Sequence, residues 1–164
     1  MINQFLLNRE ITYLNHGSFG ACPKQVFSSY QAWQSRLERE PVAFLSRHVL
    51  GYLAEAREKL GRYLGGQAND LVFFTNPTAA INMVVRSLTL NPGDEILTTS
   101  DEYGAMDKTW SFYSKKIGTT YVKRRVSLPV TTQQEFIDSF WDGVNERTRV
   151  IFLSHITSPT ALIF

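Results

Sequence analysis

Cysteine is nearly absent from this 164-residue sequence, and Cys22 is the only one. A single thiol excludes an internal disulfide framework and fits a reducing compartment. Long apolar runs are missing as well, and none reaches the roughly 20 residues needed to span a bilayer. The opening residues, MINQFLLNREITYLN, have neither a basic start nor a long apolar stretch and are not expected to act as a signal peptide. Net charge is only +2, with Lys and Arg spread through the chain. The one basic cluster, Lys123-Arg124-Arg125, reads as a solvated strand end rather than a phosphate-binding patch. No nucleic-acid partner and no membrane surface is therefore expected, and the expected location is cytoplasmic. Repeats, low-complexity segments and linkers rich in Gly, Ser or Pro are also lacking. The phosphate loop GxxxxGK[ST], the dinucleotide fingerprint GxGxxG and the nucleophile elbow GxSxG do not occur.

The chain does carry material for a core. Hydrophobic residues make up 43% and aromatics 13%, which argues against disorder. Ile11 to Leu14 suggests a short strand running into a glycine turn, Asn15 to Gly20. Pro23 opens a helix to about Arg39, and Pro41 opens another, whose apolar residues recur every three or four positions up to Tyr63. Gly65-Gly66 marks its end. Strands and helices then alternate. Strands are predicted over Leu71–Phe74, Glu95–Thr99, Thr119–Val126 and Arg149–Ser154, the last buried on both faces. Helices are predicted over Thr78–Leu88, Gly104–Lys115 and from a capping box at Thr132 to about Trp141. This order predicts an α/β fold with a mostly parallel sheet and flanking helices.

In such sheets ligands lie at the carboxyl ends of the strands, which selects three corners. The first interrupts LVFFTNPTAAINMVV with Thr75-Asn76-Pro77-Thr78. A helix starting there offers free N–H groups and a positive dipole end to an anion, and it equally reads as a plain N-cap with proline in the first turn. The second is Ser100 to Ala105, where Tyr103 either stacks on a flat ligand or fills the core. The third, Ser154-His155-Ile156-Thr157-Ser158-Pro159-Thr160, invites a polar ligand, or is a loop whose hydroxyls satisfy their own backbone. Ser154 and His155 are adjacent on a strand and point to opposite faces, which speaks against acyl transfer. His16, in the glycine turn, reads as a ligand contact or as a satisfied turn histidine.

Four stretches, YLNHGSFGACP, FFTNPTAAIN, DEYGA and FLSHITSPTALIF, come in the order and spacing seen in class V aminotransferase-like enzymes. The chain resembles that family from Tyr13 to Phe164, and specifically its isopenicillin N epimerase-like branch. The resemblance implies part of the large domain of an aspartate aminotransferase-like fold. It divides the chain into an N-terminal arm with helices (1–66) and the first part of the cofactor-binding α/β domain (67–164). It implies pyridoxal 5′-phosphate as cofactor, an amino-acid-type small-molecule substrate and a homodimer. By the same resemblance Asn76, Pro77 and Thr78 bind the cofactor phosphate, and Tyr103 stacks on the pyridine ring where relatives often carry histidine. Thr157 and Ser158 fall near the ring hydroxyl, and Asn15, His16 and Gly17 on the substrate side. Pro77 departs from the family pattern, since a small residue with an N–H is common there.

The family's aspartate for the ring nitrogen, and the lysine that anchors the cofactor, correspond to positions past Phe164. The six lysines of this sequence (24, 59, 108, 115, 116 and 123) all precede that region. The expectation is an N-terminal piece, with no catalytic residue of its own and inactive alone, of an epimerase, lyase or aminotransferase. A non-catalytic remnant or phosphate-ligand-binding module is the alternative. A small flavodoxin-like nucleotide or flavin binder suits the length and the alternation but explains the early helices poorly.

Overall fold

The computed structural model describes residues 2–164. It divides into two compact units, Met1–Val72 and Phe73–Phe164.

The first unit is helical. α1 (Lys24–Arg39) follows Pro23, whose fixed φ of −58° suits a helix entrance. α2 (Pro41–Ala43) leads through a π-helical turn, Phe44–His48, into α3 (Val49–Leu64). The sequence predicts one unbroken helix here. The extra residue in the π turn, closed by Val49 N–H donating to Phe44 O, has a packing consequence. Phe44 and Tyr52 both come against Trp33, with ring centroids 6.1 and 4.9 Å away. Arg36 lies over the Trp33 and Tyr52 rings at 5.3 and 4.6 Å. α3 ends at Gly65, whose φ of 71° is left-handed, as the glycine pair predicts. Gly61 is needed for a different reason: a Cβ there would stand 3.0 Å from Gly66 O and 3.1 Å from Ala68 N.

The second unit is α/β. Its elements are α4 (Pro77–Ser87), β1 (Glu95–Thr99), α5 (Gly104–Ile117), β2 (Thr120–Arg124), α6 (Gln133–Trp141) and β3 (Thr148–Ile151). The sheet is parallel throughout in the order β2-β1-β3. β1 is central and buried along its whole length. Alternation along it separates two packing faces. Ile96 packs with Val85 of α4 and Trp110 of α5, and around these gather Ile81, Tyr113, Val150 and Phe152. Leu97 turns the other way, toward the turn after α6, where a Cβ on Gly143 would lie 2.9 Å from its Cδ1. α4 and α5 thus cover the first face, and the turn after α6 lies over the second at β1.

Three strand expectations need correction. Ile11–Leu14 forms no strand, and neither does Leu71–Phe74, which stays without ladder partners among the described residues. Local β preference gives an extended chain, but a strand also requires a neighbour to take its N–H and C=O groups. β3 is shorter than expected and lies at the sheet edge, with Ile151 and Leu153 exposed rather than buried on both sides.

Candidate functional site

The three corners named from the sequence all belong to the second unit. At the first, Asn76 is the N-cap of α4, with its Oδ1 accepting from Ala79 N–H at 2.8 Å. Ala80 N–H donates to Asn76 O. Pro77 fills the first turn and has no N–H. Among the described residues Thr78 N–H has no hydrogen-bond partner, and its hydroxyl is likewise uncommitted. The cap reading and the anion reading are therefore compatible. The cap uses Ala79, while Thr78 keeps two donors at the positive end of the helix.

Asn82, one turn further along α4, ties this corner to the next. Its Nδ2 donates to Thr78 O at 2.9 Å and to Thr109 Oγ1 of α5 at 3.2 Å. Thr109 Oγ1 in turn donates to Ala105 O, in the first turn of α5. A chain of side-chain bonds thus links the opening turns of the two helices.

At the second corner, Tyr103 precedes α5, and its carbonyl accepts from Met106 N–H and Asp107 N–H. Tyr103 is 51% exposed, so it is not a core aromatic. Glu102 points the other way and is only 6% exposed. Its Oε1 accepts from Thr99 Oγ1 and from Ser154 N–H, both at 3.1 Å, and its Oε2 accepts from Ser154 Oγ at 2.5 Å. Behind the sheet, burial and then the Asp107 carboxylate push the Tyr121 hydroxyl far above its ordinary value, so it stays protonated.

At the third corner the chain doubles back, with Ile156 and Ile163 paired as an antiparallel bridge. Thr157 is 2% exposed. Its hydroxyl accepts from Leu162 N–H at 2.8 Å and shares a bond of the same length with Thr160 Oγ1. Thr160 also donates to Asp101 Oδ2 at 3.0 Å, back at the second corner. Ser158, next to the committed Thr157, is exposed. His155 is exposed too, and its carbonyl accepts from Phe164 N–H.

Asn15, His16 and Gly17 lie in the first unit. Asn15 organises the turn, accepting from Ser18 N–H through Oδ1 and from Phe19 N–H through its carbonyl. His16 Nδ1 accepts from Ala21 N–H at 3.4 Å, and its ring meets Tyr13 edge-on at 4.8 Å. That is the arrangement of a satisfied turn histidine. Gly17 has open space around it.

The second-unit corners thus carry an uncommitted Thr78 N–H and hydroxyl, an exposed Tyr103 and an exposed Ser158. No cluster of His, Cys, Asp and Glu among the described residues could hold a metal ion. Among the described residues no helix is long and apolar enough to cross a membrane. Sequence reasoning passed over two residues that join the corners, Asn82 and Glu102. An amide inside the apolar run AAINMVV, and a carboxylate directly after a buried strand, were the available signals.

The family model for class-V aminotransferases matches residues 20–163. Isopenicillin N epimerase from Streptomyces clavuligerus is 35% identical over 160 residues, covering 98% of this chain and 40% of that protein. The isopenicillin N epimerase of Amycolatopsis lactamdurans is 34% identical over 163 residues, covering 98% and 41%. Among solved structures, a C-DES mutant with glycine covalently linked to the PLP cofactor superimposes with a TM-score of 0.86 at 23% identity. That match covers 98% of this chain and 42% of C-DES. The chain spans about two-fifths of the length of the curated relatives it matches.

Proposed function

The chain belongs to the class-V aminotransferase family, and from that premise we propose that it supplies the cofactor-cradling part of a pyridoxal 5′-phosphate enzyme acting on an amino acid or an amino-acid-derived substrate. The cofactor is the one that the family and the PLP-linked C-DES structure support. The reaction is of the epimerase, lyase or aminotransferase type and isopenicillin N epimerase-like. The observation that carries this reading is the likeness to two isopenicillin N epimerases across 98% of the chain.

When bound, the cofactor draws electrons from the substrate α-carbon and so makes its proton removable. The work of these residues is to hold it. Thr78 N–H and hydroxyl, at the positive end of α4, take the phosphate in a cap shaped by Asn76 and Pro77. Tyr103 offers its exposed π-face to the pyridine ring. As tyrosine rather than histidine, it brings no ring nitrogen to carry a proton. Ser158 would serve the ring hydroxyl, and Thr157, placed there with it by the resemblance, would hold the loop's shape because Leu162 N–H and Thr160 already engage its hydroxyl. Asn15, His16 and Gly17 on the substrate side rest on the family resemblance alone.

Proton removal needs a base and a covalent anchor, normally a lysine. Lys59 is paired with Glu55 and Lys123 with Asp107, and none of the six lysines lies in one of the three corners. These 164 residues by themselves are therefore proposed to be inactive, and the complete enzyme to be a cytoplasmic homodimer.

Titration with pyridoxal phosphate, then borohydride reduction and peptide mass spectrometry, tests this. Saturable binding without a reduced lysine is expected. One stoichiometrically labelled lysine would overturn the proposed inactivity, and no binding would overturn the cradle. A second reading, a phosphate-binding module without catalysis, is favoured by the single backbone donor left at the α4 corner. It predicts equal affinity for inorganic phosphate and pyridoxal phosphate.

A further inference from the structure

We propose that Glu102 is a positioning residue, whose buried carboxylate locks the corner carrying Tyr103 to the loop carrying Thr157 and Ser158 and so sets how a cofactor is held between them. The proposal rests on the cofactor reading above and adds a residue that the reading does not use.

Three donors converge on this carboxylate. One, Thr99 Oγ1, comes from the end of β1, and two, the N–H and hydroxyl of Ser154, come from the exit of β3, 52 residues beyond Glu102. Among the described residues no cation lies within ion-pair distance of it. Burying a carboxylate without a counter-ion is costly unless neutral donors fill its lone pairs. An apolar side chain would fill the same space at lower cost. What the carboxylate adds is direction, since three aimed bonds fix one strand exit against the other.

The backbone carries that constraint to the site. Glu102 faces inward and the next residue, Tyr103, faces outward with half its surface exposed. The ring is thus mounted one residue from the lock. On the far side, Ser154 lies three residues before Thr157 and four before Ser158. Asp101 reinforces the tie by accepting from Thr160, which itself bonds Thr157. Both halves of the proposed grip therefore depend on residues adjacent to one carboxylate.

The test compares Glu102→Ala, Glu102→Gln and Ser154→Ala with the unaltered chain in two measurements. The first is amide hydrogen exchange without cofactor. Glu102→Ala is expected to speed exchange at least about tenfold in both 100–106 and 154–160, the size of one lost hydrogen bond to a charged group, while the opposite end of the sheet at Glu95 and Arg147 is unchanged. Ser154→Ala moves both segments in the same direction. Glu102→Gln keeps an accepting oxygen and restores most of the protection. Uniform acceleration, acceleration of one corner only, or none overturns the proposal.

The second measurement is pyridoxal-phosphate binding, with the circular dichroism of the bound cofactor at saturation. About tenfold weaker binding, and a changed ellipticity per bound cofactor, are expected for Glu102→Ala, with Gln close to the unaltered chain. Unchanged binding and ellipticity in Glu102→Ala overturn the proposal. An unaltered chain that does not bind pyridoxal phosphate sinks the cofactor reading instead, and the exchange measurement then decides the lock alone. Should Glu102→Ala fail to fold, Ser154→Ala replaces it in both measurements: paired acceleration in the two segments supports the lock, and its absence overturns it.

Discussion

Asn82 and Thr109, 27 residues apart, are joined by a 3.2 Å hydrogen bond that couples the first turn of α4 to the first turn of α5. Asn82 also holds Thr78 O, and Thr109 holds Ala105 O. The proposed phosphate donors and the mount of Tyr103 are therefore tied through one chain of hydrogen bonds. Asn82→Ala should lower stability by about 1 kcal/mol, the worth of a part-buried neutral hydrogen bond. Urea unfolding reads that change, and a fluorescence titration should show weaker pyridoxal-phosphate binding in the folded variant. Unchanged affinity would show that the helix pairing does not support the site.

Thr78 and Pro77 make opposite predictions at the same corner. Thr78→Val removes the hydroxyl but not the N–H, and should weaken pyridoxal-phosphate binding about tenfold, as expected for one bond to a charged group. Pro77→Ala adds an N–H at the first helical position, where proline removes one. It should tighten binding while costing little stability. Isothermal titration of both variants checks the pair, and weaker binding by Pro77→Ala would count against a phosphate at this helix end.

Tyr103 should act through its ring and not through its hydroxyl. Tyr103→Phe is expected to bind pyridoxal phosphate as the unaltered chain does. Tyr103→Ala should lose about 1 kcal/mol of stacking, roughly fivefold in affinity. Its exposure means that neither change should move the urea midpoint appreciably. Equal affinity of all three forms would remove Tyr103 from the site.

At the other end of the sheet, Glu95 gives a pH dependence. Asn145 Nδ2 donates to it at 2.7 Å, and Arg147 reaches its Oε1 at 2.6 Å. The Asn145 bond, with Arg147 adding to it against the opposing effect of burial, holds the Glu95 carboxyl below its ordinary value of 4.5. A carboxyl depressed in the folded state binds fewer protons than in the unfolded chain, so its stabilisation is present above the ordinary value and is lost as pH falls. Stability measured by urea should therefore decline below about pH 5, and Glu95→Gln should flatten that decline. An identical pH profile for the variant would refute the assignment.

Elements whose causes are local were legible in the residue order. Thr132 accepts from Glu135 N–H and starts α6, as the capping box predicts. Gly65 stops α3, and Asn76-Pro77 starts α4, where residue chemistry alone requires it. Strand-helix alternation gave the parallel α/β class, and the strand-end rule gave the second and third corners; the first follows a stretch that forms no strand and rests on the start of α4 alone. Family identity was also legible, because motif order survives without any knowledge of contacts. What depends on a distant partner was not legible. Leu71–Phe74 has strand composition but no ladder, and β3 has a buried strand's composition at an open edge. Pairing requires a second strand, and no local window encodes one. The resemblance puts Thr157 beside Ser158 near the ring hydroxyl, and only the fold shows that Leu162 and Thr160 use the Thr157 hydroxyl. Asn82 finds Thr109 across 27 residues and Glu102 finds Ser154 across 52. Propensity and periodicity act over a few residues, whereas a hydrogen bond between distant side chains exists only once the backbone has brought both ends within about 3 Å.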